Sequence, residues 1–544
     1  MRRLKESSWP LHRSPNRPRG GLISFAAPAA TSALRKKVLI GTLLIIALVL
    51  PMWPSFEQPA LSMDEGALLV YPELILKGQL PYRDFETFYG PANPLLLSAV
   101  YVAIGPNVIL ERVVGLAYRA LILVAFFALI QRWNTMLAAG CTAIAGVLMI
   151  PTGVSAFAWI GAVAAALASI CLATKVESAR RCFCAGSLAG LALLFRPDLT
   201  PAVLGSGLPL VLLMPWPRRW NYLVGATLGL LPFIALTIAA GPQQMMNNLL
   251  LFPVFYSSPG RHLPIFSADG YVIRLFFMHL LAMFANIITG FVIIRRNRAD
   301  ISSRLLLSLA VLSLGLTHQA AQRLDFGHVI SAALLSISVL PLSIFVLYNE
   351  FRTVGGRQQR AIFATVSVLA TVLTIVPNIG FVMRQHISDS FNGNVRYAVF
   401  VRNGDRSFPI RSPRLAMNVA DVLNRLNSLA TRGERLFVGP ADLRRTNYND
   451  TFFYYLLPQL RPATYFLEMN PWSANRPRSR LASDVASADW LVLSRLLDTW
   501  NEPNESSKFG SDAPMRVVQE KFQLCARNDA YSVYRRRASE ALLH

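Results

Sequence analysis

Hydrophobic residues in this chain come in long runs broken by short polar stretches. The first is Val38–Trp53, VLIGTLLIIALVLPMW. Comparable runs follow at Val113–Ile130, Thr135–Ile150, Val154–Ala173, Phe183–Phe195, Leu199–Met214, Tyr222–Ala240, Tyr271–Ile294, Leu305–Leu316, Val329–Tyr348 and Ala361–Gly380. A helix of about 20 apolar residues crosses ~30 Å of hydrocarbon. The pattern predicts a polytopic α-helical membrane protein with about eleven transmembrane helices.

The Lys/Arg clusters orient these spans. Arg35-Lys36-Lys37, Arg132, Lys175 with Arg180 and Arg181, Arg218-Arg219, Arg295-Arg296, and Arg352 with Arg357 and Arg360 fall on one side. Basic loops mark the cytoplasm. The one-sidedness holds only if Ala92–Ile109 does not cross. That segment and Gly66–Lys77 are therefore expected to lie at the interface or to half-insert. The expected organisation is a basic, Pro-rich, disordered cytoplasmic tail (1–37), a transmembrane domain (38–380) with a first external loop at 55–112, and an extracytoplasmic C-terminal α/β domain (381–544). Short strand-like pieces, RLFVGP (435–440) and WLVLSR (490–495), and the helix-like stretch Ala416–Leu429 support the last assignment. The N-terminal run reads as an uncleaved signal anchor of a multi-pass protein in a bacterial inner membrane, its C-terminal domain in the periplasm.

Composition agrees. The chain has 544 residues, 53% hydrophobic and 15% charged, too apolar for a soluble protein of this length. Its formal charge of +23 does not imply nucleic acid, because the basic residues sit at helix ends and in the tails, where anionic lipid accounts for them. The five cysteines form no disulfide framework or zinc spacing. There is no P-loop, dinucleotide fingerprint, HExxH or internal repeat.

Chemistry concentrates just past the first run. Asp64 and Glu65 stand beside the hydrocarbon boundary, followed by Tyr82, Arg83, Asp84, Glu86, Tyr89 and Gly90-Pro91. A carboxylate costs about 2.5–3.5 kcal/mol at a membrane helix centre, so such placement asks for a functional reading. Partial burial raises a carboxyl pKa toward neutrality, which suits a general base. Asp84 is a second acid or a metal ligand, although no ligand cluster demands a divalent metal.

A hydrophobic first helix, an Asp-Glu pair just outside it, then G-x-x-P-Y-x-D-F and Y-G-P before another apolar run resemble the GT-C superfamily of polytopic glycosyltransferases. The resemblance is strongest over residues 38–130 and is nearest to bacterial relatives of protein mannosyltransferases and lipid A aminoarabinose transferases. Y-G-P stands where many relatives carry Lys/His-Pro-Pro. The resemblance implies sugar transfer from a polyprenyl-phosphate donor to an extracytoplasmic acceptor, a glycan, lipid or protein of the envelope, by a hexosyl- or pentosyltransferase. It implies that Asp64 is the base and that Glu65 orients it or helps the acceptor bind.

An anionic leaving group needs fixed positive charge, and Arg offers phosphate a bidentate fork. Arg196 with Asp198, and Arg323 with Asp325 and His328, sit at outer ends of other apolar runs, on the same side of the membrane as Asp64. Arg112 is a further candidate, with Arg83, Asp84 and Tyr89 lining the loop. His318 is expected to pack or cap. Two other classes remain open: a transporter or flippase of lipid-linked saccharides, which places its charges along a path through the bilayer, and a noncatalytic envelope assembly protein.

Overall fold

The computed structural model describes residues 27–175, 177–296, 298, 300–351, 356–375 and 398–538, with three isolated residues at 380, 384 and 388. The chain is a polytopic helical protein carrying a C-terminal domain built on a β-sheet. The helices are α1 (Ala27–Val49), α2 (Asp64–Leu76), α3 (Ala92–Ile104), α4 (Val108–Ile130), α5 (Thr135–Met149), α6 (Ala158–Ala173), α7 (Ala179–Phe195), α8 (Thr200–Val211), α9 (Trp216–Gly229), α10 (Leu231–Ala240), α11 (Pro242–Met246), α12 (Ser258–Arg261), α13 (Gly270–Arg296), α14 (Ile301–Gln322), α15 (Phe326–Phe351) and α16 (Arg357–Ile375).

Among the described residues, eight segments are long and apolar enough to cross a membrane: Arg35–Glu57, Val108–Ile130, Thr135–Thr152, Trp216–Ala240, Gly270–Arg296, Ile301–Gln322, Phe326–Asn349 and Arg357–Ile375. Three further expected crossings are helices, but shorter: α6 has 16 residues, α7 17 and α8 12. Residues 27–37, expected in the disordered tail, already belong to α1; an Ala-rich lead-in, APAATSA, favours helix over coil. The earlier part of the tail, the end of the expected last span and the start of the expected C-terminal domain lie outside the described residues.

α15 is central, with 89% of its apolar window buried against α5, α13, α14 and α16. Polar side chains tie these helices together. His279 of α13 lies 2.8 Å from Ser336 of α15 and 3.0 Å from Thr317 of α14, and Asn286 donates to the Ser336 carbonyl at 2.8 Å. Interhelical hydrogen bonds of this kind serve where hydrophobic burial does not discriminate protein from lipid.

The two segments expected to be interfacial are α2 and α3, which pack against each other. Ser98 of α3 donates to the Pro72 carbonyl of α2 at 3.2 Å. Gly90 of the Y-G-P motif presses on the end of α7. A Cβ there would meet the Leu194 carbonyl oxygen at 2.0 Å, and the Gly90 amide donates to the Phe195 carbonyl at 3.1 Å. The motif therefore seats the loop on the bundle.

The C-terminal domain has a hairpin, β1 (Val399–Asn403) and β2 (Arg406–Ile410), and a five-stranded sheet. The sheet strands are β3 (Arg435–Pro440), β4 (Arg461–Pro462), β5 (Trp490–Ser494), β6 (Phe522–Arg527) and β7 (Tyr531–Arg536), in the order β4-β3-β5-β7-β6. β3 is parallel to both neighbours, and β5–β7 and β6–β7 are antiparallel. Both strands read from sequence are present, and the helix Pro413–Leu429 covers the stretch expected from Ala416.

This domain is anchored on α2. Arg406 grips Glu73 through both arms, at 2.6 and 2.9 Å. The Tyr71 hydroxyl donates to Glu468 at 2.7 Å. Gly66 lets the Phe452 backbone approach so closely that a Cβ would lie 2.6 Å from its nitrogen. The residue after the acidic pair thus seats the C-terminal domain beside that pair.

Candidate active site

Asp64 and Glu65 open α2, where the positive end of the helix dipole favours carboxylates. Their side chains enter different surroundings. Glu65 is 2% exposed and accepts from Arg112 Nε and Nη2, each at 3.0 Å. It also accepts from Ser155 Oγ at 2.5 Å and from the Leu61 amide at 3.0 Å. Arg112 Nη1 then donates to the carbonyls of Ser55, Phe56 and Gln58 at 3.2, 2.7 and 3.0 Å. Arg112, a candidate for the phosphate from sequence, is 2% exposed, and every nitrogen of its fork is occupied inside the protein. Its work is to hold the chain that leads from α1 into α2.

Asp64 makes no ion pair and no side-chain hydrogen bond among the described residues. It faces Glu468, Arg261, Glu65 and Arg323. Burial pushes its carboxyl up to about 7; the charge of Glu468 adds to this and Arg261 opposes it. That places a proton acceptor in the working range of a general base. Glu468 lies under it, held by Tyr71 and, at 3.4 Å, by Asn470, and burial raises its pKa too. Glu86 lies beyond it, within the field of Glu468, bonded to Ser473 and pushed by burial up to about 8.

Positive charge is unevenly available. Arg261, at the end of α12, lies with its guanidinium 5.6 Å from the Phe88 ring centre and forms no side-chain hydrogen bond or ion pair among the described residues. Arg196 pairs with Asp198 through two bonds of 2.8 and 2.7 Å and stacks 5.3 Å over the Tyr89 ring, leaving Nη1 without a partner among the described residues. His318 Nε2 is 3.3 Å from Asp198 and Gln319 donates to the same oxygen at 3.4 Å. His318, expected to pack or cap, caps the end of α14 through Nδ1, 2.7 Å from the Gly315 carbonyl, and also joins this cluster, because α14 ends facing the turn between α7 and α8. Burial opposes ionisation of Asp198, yet Arg196 holds it far below the usual carboxylate range.

Arg323 is less available than its sequence position promised. It donates to Asp325 at 2.8 Å, to the Arg261 carbonyl at 3.0 Å, and to both oxygens of Glu502 from the C-terminal domain. Asp325 also accepts from the His328 amide and lies 2.8 Å from its Nδ1. This group joins the two domains, and its charges answer one another. Arg83 and Asp84 pair on the surface at 3.0 and 2.9 Å, with Asp84 also accepting from the Leu80 amide; they shape the loop and are not among the charges facing Asp64. Among the described residues no three His, Cys, Asp or Glu side chains gather to hold a metal ion.

Sequence reasoning missed Arg261, Glu468, Tyr71 and Glu502. Glu468 had a signal: a lone acid inside an apolar stretch, Tyr465–Pro471. Arg261 had none, because a basic residue in a loop between apolar runs looks like any other.

No protein-family model matches the chain, and no curated protein matches it. Among solved structures the fold is similar to that of ArnT from Cupriavidus metallidurans bound to undecaprenyl phosphate, at 12% identity and a TM-score of 0.48, over 94% of this chain and 99% of that one. Apo ArnT from the same organism gives 12% identity and a TM-score of 0.43, over 93% and 98%.

Proposed function

We propose that the chain is a membrane glycosyltransferase that moves a sugar from a polyprenyl-phosphate donor to an acceptor hydroxyl outside the cytoplasm, with Asp64 as general base. The observation that supports it is the state of Asp64: a carboxylate without an ion pair, raised toward neutrality, at the meeting of the apolar bundle with the C-terminal domain and facing an uncommitted arginine. Asp64 takes the acceptor proton, and the freed oxygen attacks the anomeric carbon. The bond from that carbon to the phosphate oxygen breaks with its electron pair, and the lipid phosphate leaves. Configuration inverts at the carbon. Arg261 and Arg196 face the developing phosphate charge, and Glu65, locked by Arg112 and Ser155, fixes the turn that aims Asp64.

The bundle sits in the inner membrane with the acidic loop and the C-terminal domain on its outer side. Cysteines placed at the exposed positions 83 and 425 should then react with an impermeant reagent added outside, and one at 359 should not; labelling at 359 alone would reverse the topology.

Asp64→Asn tests the chemistry. Asn keeps the size and one acceptor oxygen but cannot take a proton, so transfer from a lipid-linked sugar pool should fall roughly 10²–10⁴-fold while the protein still folds and binds donor. Undiminished transfer would remove the base assignment.

A further inference from the structure

A second site lies away from Asp64, in the C-terminal domain. The chain leaves β3 toward β4 on one side and returns past it to β5 on the other, with all three strands parallel. In open α/β sheets ligands bind where such connections diverge, outside the carboxyl ends of the strands. A cavity of about 340 Å³ occupies that place, bounded by residues 440–448 after β3 and 494–498 after β5. This is at the small end of the roughly 300–1,000 Å³ of ligand pockets.

Its lining is not satisfied from within. Arg445 donates through Nη2 to the Trp500 carbonyl and Asn501 at 2.7 and 2.6 Å, but its Nε is buried with no acceptor. Asn447 Nδ2 is buried and unpartnered as well. Buried donors without partners are rare in native proteins and point to a missing acceptor. Asp498 supplies acceptor oxygens with no ion pair of its own among the described residues. Phe509, 59% exposed, stands at the mouth, with Arg444 over its ring at 4.3 Å. The charges on the lining are Arg445 against Asp442 and Asp498, with Asp442 already paired to Arg444 at 2.8 Å.

We infer that this cavity binds an uncharged saccharide. Unused donors ask for acceptors and a free carboxylate asks for donors, and a sugar hydroxyl is both at once. An exposed aromatic ring at the rim suits the C–H face of a pyranose; two lining carboxylates against one guanidinium disfavour phosphate, and the buried N–H donors disfavour a cation. Tyr448 ties the cavity to the reaction: it lines the wall and lies against Ser62 and within the field of Asp64. On the transferase reading the bound saccharide is therefore part of the acceptor; its binding does not depend on that reading.

The test is saturation-transfer NMR on the full purified chain with glucose, galactose, mannose, N-acetylglucosamine and lactose, with inorganic phosphate as competitor. At least one saccharide should receive saturation, and phosphate should not displace it. Asn447→Leu and Asp498→Asn should each weaken binding roughly 3–10-fold, the loss of one hydrogen bond. Phe509→Ala, at an exposed position that leaves the fold alone, should weaken it by a similar factor. Asp64→Asn should bind saccharide as the native chain does. If it also keeps transferring sugar, the base assignment fails and the cavity assignment stands. No saturation transfer to any saccharide, displacement by phosphate, or binding indifferent to all three cavity variants would overturn the proposal.

Discussion

Asp64 and Glu65 are neighbours on one helical turn, and the structure gives them opposite fates. Glu65 sits in a closed network in which Arg112, Ser155 and the Leu61 amide take up its oxygens, and the rest of Arg112 is occupied by three carbonyls. Asp64, one residue earlier, meets charges on several sides and pairs with none. A buried ion pair that is fully hydrogen-bonded holds geometry; an unpaired carboxyl of raised pKa is free to exchange a proton. The same contrast separates the arginines. Arg112 and Arg323 are committed to protein partners, Arg196 is half committed, and Arg261 is open.

The largest effect should come from breaking the closed network. Glu65→Ala leaves Arg112 buried without its counterion, and Arg112→Ala does the same to Glu65. Removing one partner of a buried pair costs about 3–5 kcal/mol. Thermal unfolding in detergent should show each single variant strongly destabilised. The double variant should lose less than the sum, because no charge is left alone. Asp64→Ala should leave the unfolding midpoint close to native. If Asp64→Ala proved as damaging as Glu65→Ala, the division of labour between the two carboxylates would collapse.

The arginines give the next largest effect. Charge-assisted hydrogen bonds contribute about 1.5–3 kcal/mol. Arg261→Ala should therefore weaken binding of a polyprenyl-phosphate analogue roughly 10–100-fold, and Arg196→Ala less, because Asp198 already answers most of its charge. Arg323→Ala should act on domain docking, through Glu502, more than on affinity. Isothermal titration of the three variants ranks them. An Arg323 effect larger than that of Arg261 would reverse the assignment.

The apolar runs made the bundle legible, because a membrane leaves the backbone only helices or closed barrels and the runs have the length to cross. The strands 435–440 and 490–494 were legible for a similar reason: short β-branched and aromatic pieces bounded by Gly, Pro and Ser. The acidic pair was found because two carboxylates beside hydrocarbon are costly. What could not be read was which charge finds a partner. Arg112 and Arg261 look alike in sequence, each a basic residue at the edge of an apolar segment. Only the fold brings Ser55, Phe56, Gln58 and Glu65 around one and leaves the other open. Glu468 and Glu502 escaped for the same reason, since their meaning comes from contacts with residues some 400 and 180 positions away along the chain.

The finest probe of the contrast is the pH dependence of kcat/KM. A general base works only when deprotonated, so the rate should rise with pH along a limb centred near the folded-state value of Asp64, about 7. Burial sets most of that elevation and is common to every variant that keeps the fold. The neighbouring charges act on top of it with opposite signs. Glu468 disfavours a second negative charge, so Glu468→Gln should move the limb to lower pH. Arg261 favours the ionised carboxyl, so Arg261→Ala should move it to higher pH while also weakening donor binding. Glu65→Gln is the internal control: its charge is answered by Arg112 at 3.0 Å, so any movement of the limb should be smaller than with Glu468→Gln. Shifts of the same sign in the Glu468 and Arg261 variants would mean that the titrating group is not Asp64.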